Sequence, residues 1–252
     1  MIRNSFIFLE RVGPSLEQNI WSQGISDWSS FISAPRIRGL SPVRKDYFSR
    51  QLAKARRSVF DYDSSFFTDC LPSSEVWRLY DHFRDDCLFL DIETTGYYGD
   101  ISVITVFDGD SSHTLVKHHS LHRHNLKRVF SHAKLLVSFN GISFDVPVLR
   151  RAFRDVIPPV PHLDLRFPLA RLGFTGGLKS IERDLGISRC ASVDGVSGED
   201  AVALWHDYRM TGDEDSLSRL VKYNEEDVIN LKPIADFVYR RMSSDMKSAL
   251  GI

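Results

Sequence analysis

No stretch of this chain approaches the roughly 20 consecutive apolar residues that cross a bilayer, so the sequence holds no membrane-spanning helix. An early apolar run, Phe6-Ile7-Phe8-Leu9, stops at Glu10 and is too short for the hydrophobic region of a signal peptide. Cysteine is also scarce. Cys70, Cys87 and Cys190 are odd in number and share no metal-ligand spacing, which fits free thiols in a reducing compartment better than a disulfide framework. These absences point to a cytoplasmic protein with no membrane partner. Internal repeats and low-complexity tracts are missing too, which excludes solenoid and disordered classes. An excess of one charge sign is lacking as well. The formal net charge of −1 excludes neither an acidic metal site nor a basic nucleic-acid surface, because the two cancel in the sum.

The 252 residues, 42% of them hydrophobic, leave room for one full α/β domain and a smaller appendage. Residues 1–83 read as short helices. Ser15-Leu16-Glu17-Gln18 has the capping-box pattern after Gly13-Pro14, and Gly24 suits a helix end. Asp27 is placed to cap a second helix carrying Trp28, Phe31 and Ile32. From Ser41-Pro42, apolar Val43, Phe48, Leu52, Ala55 and Val59 recur at helical spacing, with Arg and Lys opposite. Between Arg36 and Arg57 eight basic residues face one acid, Asp46, a local charge of +7. Residues 61–74 read as a loop, and a further helix is expected after Ser74.

At Cys87 the pattern changes. Cys87-Leu88-Phe89-Leu90 is a continuous apolar run, as in a strand buried on both faces. Residues 101–107 and 113–117 read as neighbouring strands, and 121–130 as a helix. A strand at 135–138 follows, with Asp145 opening the next helix. Later helices are expected over 178–185, 199–209 and 214–240. This order predicts an α/β fold: a mixed sheet flanked by helices over residues 84–252, preceded by the small all-helical region.

Carboxylates punctuate this second part. Asp91 and Glu93 stand at i and i+2 near the end of a strand, so both point to one face. Tyr223 and Asp227 stand at i and i+4 on a helix and share a face. Asp145 begins another helix. Carboxylates are costly to bury without a cation beside them. Oxygen donors select Mg²⁺ or Mn²⁺ over zinc, and paired ions of this kind serve phosphodiester hydrolysis. Taken singly, each fragment has a plain structural reading as a solvated face or a helix cap. The combination does not.

Asp91-Ile92-Glu93-Thr94-Thr95-Gly96, Asn140-x3-Phe144-Asp145 and Tyr223-x3-Asp227 resemble the three motifs of the DEDD 3′–5′ exonuclease superfamily, tyrosine subclass. Val137-Ser138-Phe139-Asn140-Gly141, His162-Leu163-Asp164-Leu165, Gly176-Gly177-Leu178-Lys179-Ser180-Ile181-Glu182 and the final Tyr-Asn-Glu-Glu-Asp resemble its YprB-type ribonuclease-H-like branch. The likeness covers roughly residues 84–242. It implies a ribonuclease-H-like fold that removes nucleotides from the 3′ end of single-stranded DNA or RNA with two Mg²⁺ or Mn²⁺ ions. By resemblance, Asp91, Glu93 and Asp227 would hold one ion, and Asp91 and Asp145 the second. Tyr223 would orient the attacking water, and Thr94, Thr95, Asn140 and Lys179 would contact substrate.

Two rival functions stay open at this point: a structure-selective endonuclease, and a nucleic-acid-binding module with an idle site. Gly176-Gly177 with Lys179 reads either as a phosphate seat or as a loop with an exposed lysine. Asp164 reads as a strand-end cap before a ligand. His113, His118, His119, His122, His124 and His132 crowd one region, but no cysteine or carboxylate completes a zinc site there. Residues 6–33 loosely resemble half of a helix-hairpin-helix around Val12-Gly13-Pro14-Ser15. That region is a candidate for gripping phosphates or for docking a protein partner.

Overall fold

A computed structural model describes residues 1–96 and 99–251. The N-terminal region folds into α1 (Pro14–Trp21), α2 (Trp28–Ser33), α3 (Pro42–Phe60) and α4 (Tyr80–Phe83), with 3₁₀ turns at Ile2–Asn4, Ser65–Phe67, Ser73–Leu79 and Arg84–Asp86. Asp27 caps α2 in a reciprocal capping box with Ser30, as its sequence position predicts. Three expectations differ. Helix α1 starts at Pro14 with Gly13 as its cap, so the Ser15–Gln18 capping box does not form. Glu17 turns inward instead and accepts from the backbone N–H groups of Phe6 (2.6 Å) and Ile7 (2.9 Å). Val43 lies at the first turn of α3, 81% exposed, while Phe48, Leu52, Ala55 and Val59 form the buried stripe. The single helix expected after Ser74 is a 3₁₀ segment running into the short α4.

The sheet begins with β1 (Cys87–Thr94), followed by β2 (Ile101–Phe107), β3 (Ser112–Val116), α5 (Arg123–Phe130), β4 (Leu135–Ser138) and α6 (Asp145–Ala152). After these come β5 (His162–Asp164), α7 (Arg166–Arg171), α8 (Leu178–Leu185), α9 (Gly198–Thr211) and α10 (Glu214–Leu250). The strand order is β3-β2-β1-β4-β5. The β1–β2 and β2–β3 pairs are antiparallel, whereas β1–β4 and β4–β5 are parallel. This is the mixed, helix-flanked sheet expected from the sequence. β5 and α7 are additions, too short to show a period.

Strand alternation divides β1 between two apolar clusters. Leu88, Leu90 and Ile92 pack with Leu126, Phe130 and Leu149 from α5 and α6. Cys87 and Phe89 face the other way, toward Val228, Leu231 and Ala235 of α10, and Asp91 and Glu93 continue that face beyond the apolar residues. The α10 cluster runs without a break into the N-terminal helices through Phe83, Trp77 and Phe48. α10 reaches Leu250, ten residues past the sequence expectation, because Val238, Met242 and Met246 extend its buried stripe against this region. Pro233 inside α10 removes the amide that would bond the Ile229 carbonyl, and Ile229 is exposed, so water can satisfy it.

The N-terminal region is fastened by buried charge as well as by apolar packing. Arg78 donates to Glu17 (2.9 Å), Glu75 (2.7 Å) and Ser5 (2.8 Å), and Arg171 of α7 reaches Glu75 (2.8 Å). Side-chain exposure of Arg78, Glu17 and Glu75 is 5, 2 and 7%, so each charge depends on its partners rather than on water.

Candidate metal centre

Asp91 and Glu93 project from the end of β1, and Asp227 from the middle of α10. These three carboxylates each offer an oxygen, and the oxygens lie within 4.8 Å of one another. Pairing aligns Asp91 with Thr105 and Glu93 with Val103 of β2. The register shifts between Glu93 and Thr94, and Thr94 ends the strand paired with Ile101. Thr94 Oγ1 donates to the Gly96 carbonyl (2.9 Å) and Thr95 N–H to the Asp100 carbonyl (2.9 Å), closing the turn behind the two acids. Gly96 has φ of 137°, a backbone that L residues rarely adopt.

Asp145 stands outside that trio. Its Oδ1 accepts from the N–H of Ile92 (3.0 Å), the residue between Asp91 and Glu93. The turn before α6 is tight. A Cβ on Gly141 would lie 2.7 Å from Ser138 Cβ and 3.4 Å from Asp145 Oδ2, so only glycine fits there. Asn140, at φ of 63°, is held by its N–H to Asp164 (2.7 Å) and by its side-chain oxygen to Arg166 (2.6 Å). Asp164 also accepts from Ile142 N–H (3.1 Å) and Arg166 N–H (3.1 Å), so it acts as the strand-end cap.

Crowding shows in the acidities. Burial pushes Asp91 well above the usual carboxylate range, and the charges of Asp145, Asp227 and Glu93 add to it, while the hydrogen bond from Asn224 opposes the shift. Glu93 is pushed up to about 8 by burial and then by Asp227 and Asp145. Burial, less two backbone hydrogen bonds, lifts Asp145 to about 7. Burial likewise raises Asp227, against the pull of Arg189. A site whose acids hold protons near neutral pH is short of positive charge. All-oxygen donors in this arrangement fit a hard divalent cation.

Tyr223 lies one turn before Asp227, 5% exposed. Burial and the carboxylates of Asp227, Glu93 and Asp91 push its phenol far above its ordinary value, so it is a neutral hydrogen-bond donor at physiological pH. Two cations flank its ring, with Lys179 Nζ 4.5 Å and the Arg189 guanidinium carbon 5.9 Å from the centroid. Lys179 also donates to the Val196 carbonyl.

Four further residues serve this cluster and were not singled out from sequence. Asn224, fully buried, donates from Nδ2 to Asp91 (2.7 Å). Arg189 donates to Asp227 and to both oxygens of Glu182 (2.7 and 2.8 Å), and Asn230 donates to Glu182 (3.0 Å). Asn224 and Glu182 fall inside the quoted motifs, where their neighbours drew the notice. Arg189 lies in the loop after α8 and carries no local signal.

The basic run is only partly free. Arg44 donates to the carbonyls of Glu10 and Arg11, and Lys45 to that of Ile32, while Arg50 pairs with Asp46 and Arg57 with Asp61. His119 bonds Tyr208 (2.7 Å), and no histidine joins a metal-competent group among the described residues. Nor is any helix among them long and apolar enough to cross a membrane.

Residues 88–239 match the family RNase_H_2, described as RNase_H superfamily. No curated protein matches the chain. Among solved structures, the fold is similar to a family B DNA polymerase from the hyperthermophilic archaeon Pyrobaculum calidifontis, at 15% identity and a TM-score of 0.48. That likeness covers 60% of this chain and 24% of the polymerase, so this chain spans about a quarter of that protein. A second similar structure is described as the apo form of the nuclease. It has 17% identity and a TM-score of 0.48, covering 72% of this chain and 83% of that one.

Proposed function

This chain belongs to the RNase_H superfamily, and from that premise we propose that it is a metal-dependent 3′–5′ exonuclease acting on single-stranded DNA or RNA. The observation that carries the reading is the trio Asp91, Glu93 and Asp227, three oxygen donors within 4.8 Å on the end of β1 and the facing turn of α10. These residues would hold one Mg²⁺ or Mn²⁺, and Asp91 with Asp145 the second. When bound, the two ions supply Lewis-acid stabilisation of the charge that develops on the attacked phosphate and the departing 3′ oxygen.

The protein's own groups supply order. Asn224 holds Asp91, and the N–H of Ile92 holds Asp145. Tyr223, kept protonated, donates a hydrogen bond that orients the attacking water rather than removing its proton. Lys179, beside the Tyr223 ring, is assigned to a substrate phosphate, and Thr94, Thr95 and Asn140 to contacts along the strand. The tyrosine placed one turn before Asp227 favours the exonuclease over the endonuclease reading, by resemblance to the tyrosine subclass. Residues 1–83 are assigned as a second contact for nucleic acid. Lys54 and Arg56 of α3 are exposed and carry no ion pair or side-chain hydrogen bond among the described residues.

The test is a comparison of linear and circular single strands with Mn²⁺. An exonuclease degrades the linear strand and leaves the circle whole. Cutting of the circle, lost in Asp227→Ala, would transfer the assignment to the endonuclease.

A further inference from the structure

Arg189 is buried beside the acid trio, yet it belongs to a loop with no motif of its own. Its side chain is 6% exposed, and its guanidinium lies between two carboxylates of different kinds. Toward α8 it forms a two-pronged pair with Glu182, Nε to Oε2 at 2.7 Å and Nη2 to Oε1 at 2.8 Å. Toward α10 the same Nη2 donates to Oδ1 of Asp227. Glu182 is 1% exposed and is fixed from a second side by Asn230, which sits three residues beyond Asp227 on α10. The loop itself is tied down by the Cys190 N–H to Glu226 (3.3 Å) and the Ile187 N–H to the Glu182 carbonyl (2.8 Å). Asp227 Oδ2 has no hydrogen-bond partner among the described residues, so one oxygen is clamped and the other is left for a cation.

Charge narrows what this arrangement does. Glu182 and Arg189 cancel each other, so the pair adds no net charge to the acid cluster. A buried pair kept for stability alone needs only one acid and one base. Here the base reaches past its partner to a third group that the proposed reaction uses. The planar fork suits this task, because its donors point in fixed directions and one guanidinium can serve two carboxylates together.

We infer that Arg189 is a positioning residue: anchored by Glu182 and Asn230, it holds Asp227 in the orientation in which its free oxygen meets the divalent cation shared with Asp91 and Glu93. The inference rests on the metal-dependent nuclease reading. Partners that orient metal ligands in this way typically contribute about 10- to 100-fold to metal affinity.

The test is Mn²⁺ binding by calorimetry on the full chain, with melting temperature measured on the same samples. Arg189→Met leaves Glu182 buried and unpaired, so it lowers melting whatever the role of Arg189. Combining Arg189→Met with Glu182→Gln removes both charges, and that double variant should recover most of the melting temperature. Its Mn²⁺ affinity should stay about 10- to 100-fold weaker than that of the unsubstituted chain. Arg189→Lys keeps the charge and loses the fork. It should also bind Mn²⁺ more weakly, with a smaller loss of melting temperature than Arg189→Met because the charge is kept, and it serves if the double variant does not fold. Unchanged Mn²⁺ affinity in either folded variant reduces Arg189 to a core counter-ion and overturns the inference, while the nuclease reading stands. An unsubstituted chain that binds no Mn²⁺ overturns both.

Discussion

Replacing Asp91 by Asn should destroy the proposed activity and make the metal-free protein more stable. Oxygens of Asp91, Glu93 and Asp227 lie within 4.8 Å of one another. At that separation two unit charges repel by about 3.5 kcal/mol at an effective dielectric constant of ~20. Asp91 enters two of the three pairs in the trio and also meets the charge of Asp145, so full ionisation would place about 7 kcal/mol of repulsion or more on it for the substitution to relieve. The native cluster escapes much of this by retaining protons, as the raised acidities of Asp91 and Glu93 express. Against the relief stands the Asn224 hydrogen bond, which changes from charge-assisted to neutral at a cost of about 1 kcal/mol. The net gain expected at pH 8 without metal is about 2 kcal/mol, or roughly 4–8 °C in melting temperature for a chain of this size. At about pH 3.5, below the ordinary Asp91 value of 3.8, the carboxyl holds its proton in the folded and unfolded chains alike, and the difference should shrink toward zero. Circular-dichroism melts in EDTA at both pH values read this directly. An Asp91→Asn protein that melts at or below the native chain at pH 8 would refute the reasoning, because the trio would then not be a repulsive cluster.

Other consequences follow from the same residues. Glu93 has an ordinary value of 4.5 and a folded value of about 8, so the folded state holds a proton that the unfolded chain releases between those limits. Stability of the metal-free protein should therefore be greatest below about pH 4.5, as far as this group is concerned, and fall as pH rises toward 8. Saturating Mn²⁺ should flatten that fall, and parallel melts with and without metal check it. Arg78→Met strands Glu17 and Glu75 in the interior and should cost about 3–5 kcal/mol, seen as a lower urea midpoint. Gly141→Ala forces a methyl group against Ser138 and toward Asp145. It should cut turnover by about 100-fold through displacement of that acid, with the far-ultraviolet dichroism unchanged.

The sheet and the acid trio were legible because period and chemistry coincide there. A continuous apolar run marked β1, alternation marked β2 and β3, and acids at i, i+2 and i, i+4 fell on elements whose geometry makes them neighbours. Misreadings arose where long-range contacts overrode local pattern. Glu17 looked like part of a capping box, yet its carboxylate is consumed by Phe6, Ile7 and Arg78. Val43 kept helical spacing with the buried stripe of α3, but it lies on the first turn, where the stripe has no partner surface. The end of α10 was hidden because Met242 and Met246 are buried by the N-terminal helices, which local sequence cannot bring near. Arg189 was invisible for the same reason: an arginine in a loop acquires meaning only when folding sets Glu182 and Asp227 beside it.

The most direct measurement follows a single-stranded oligonucleotide labelled at its 5′ end, in matched DNA and RNA forms, with Mn²⁺ or Mg²⁺ and with Asp91→Asn as control. A ladder that shortens stepwise from the 3′ end, disappears in EDTA and is absent from the variant is the expected result. Equal cleavage by Asp91→Asn, or none by the native chain with either metal and either polymer, would contradict the assignment of Asp91, Glu93 and Asp227 as a working metal centre.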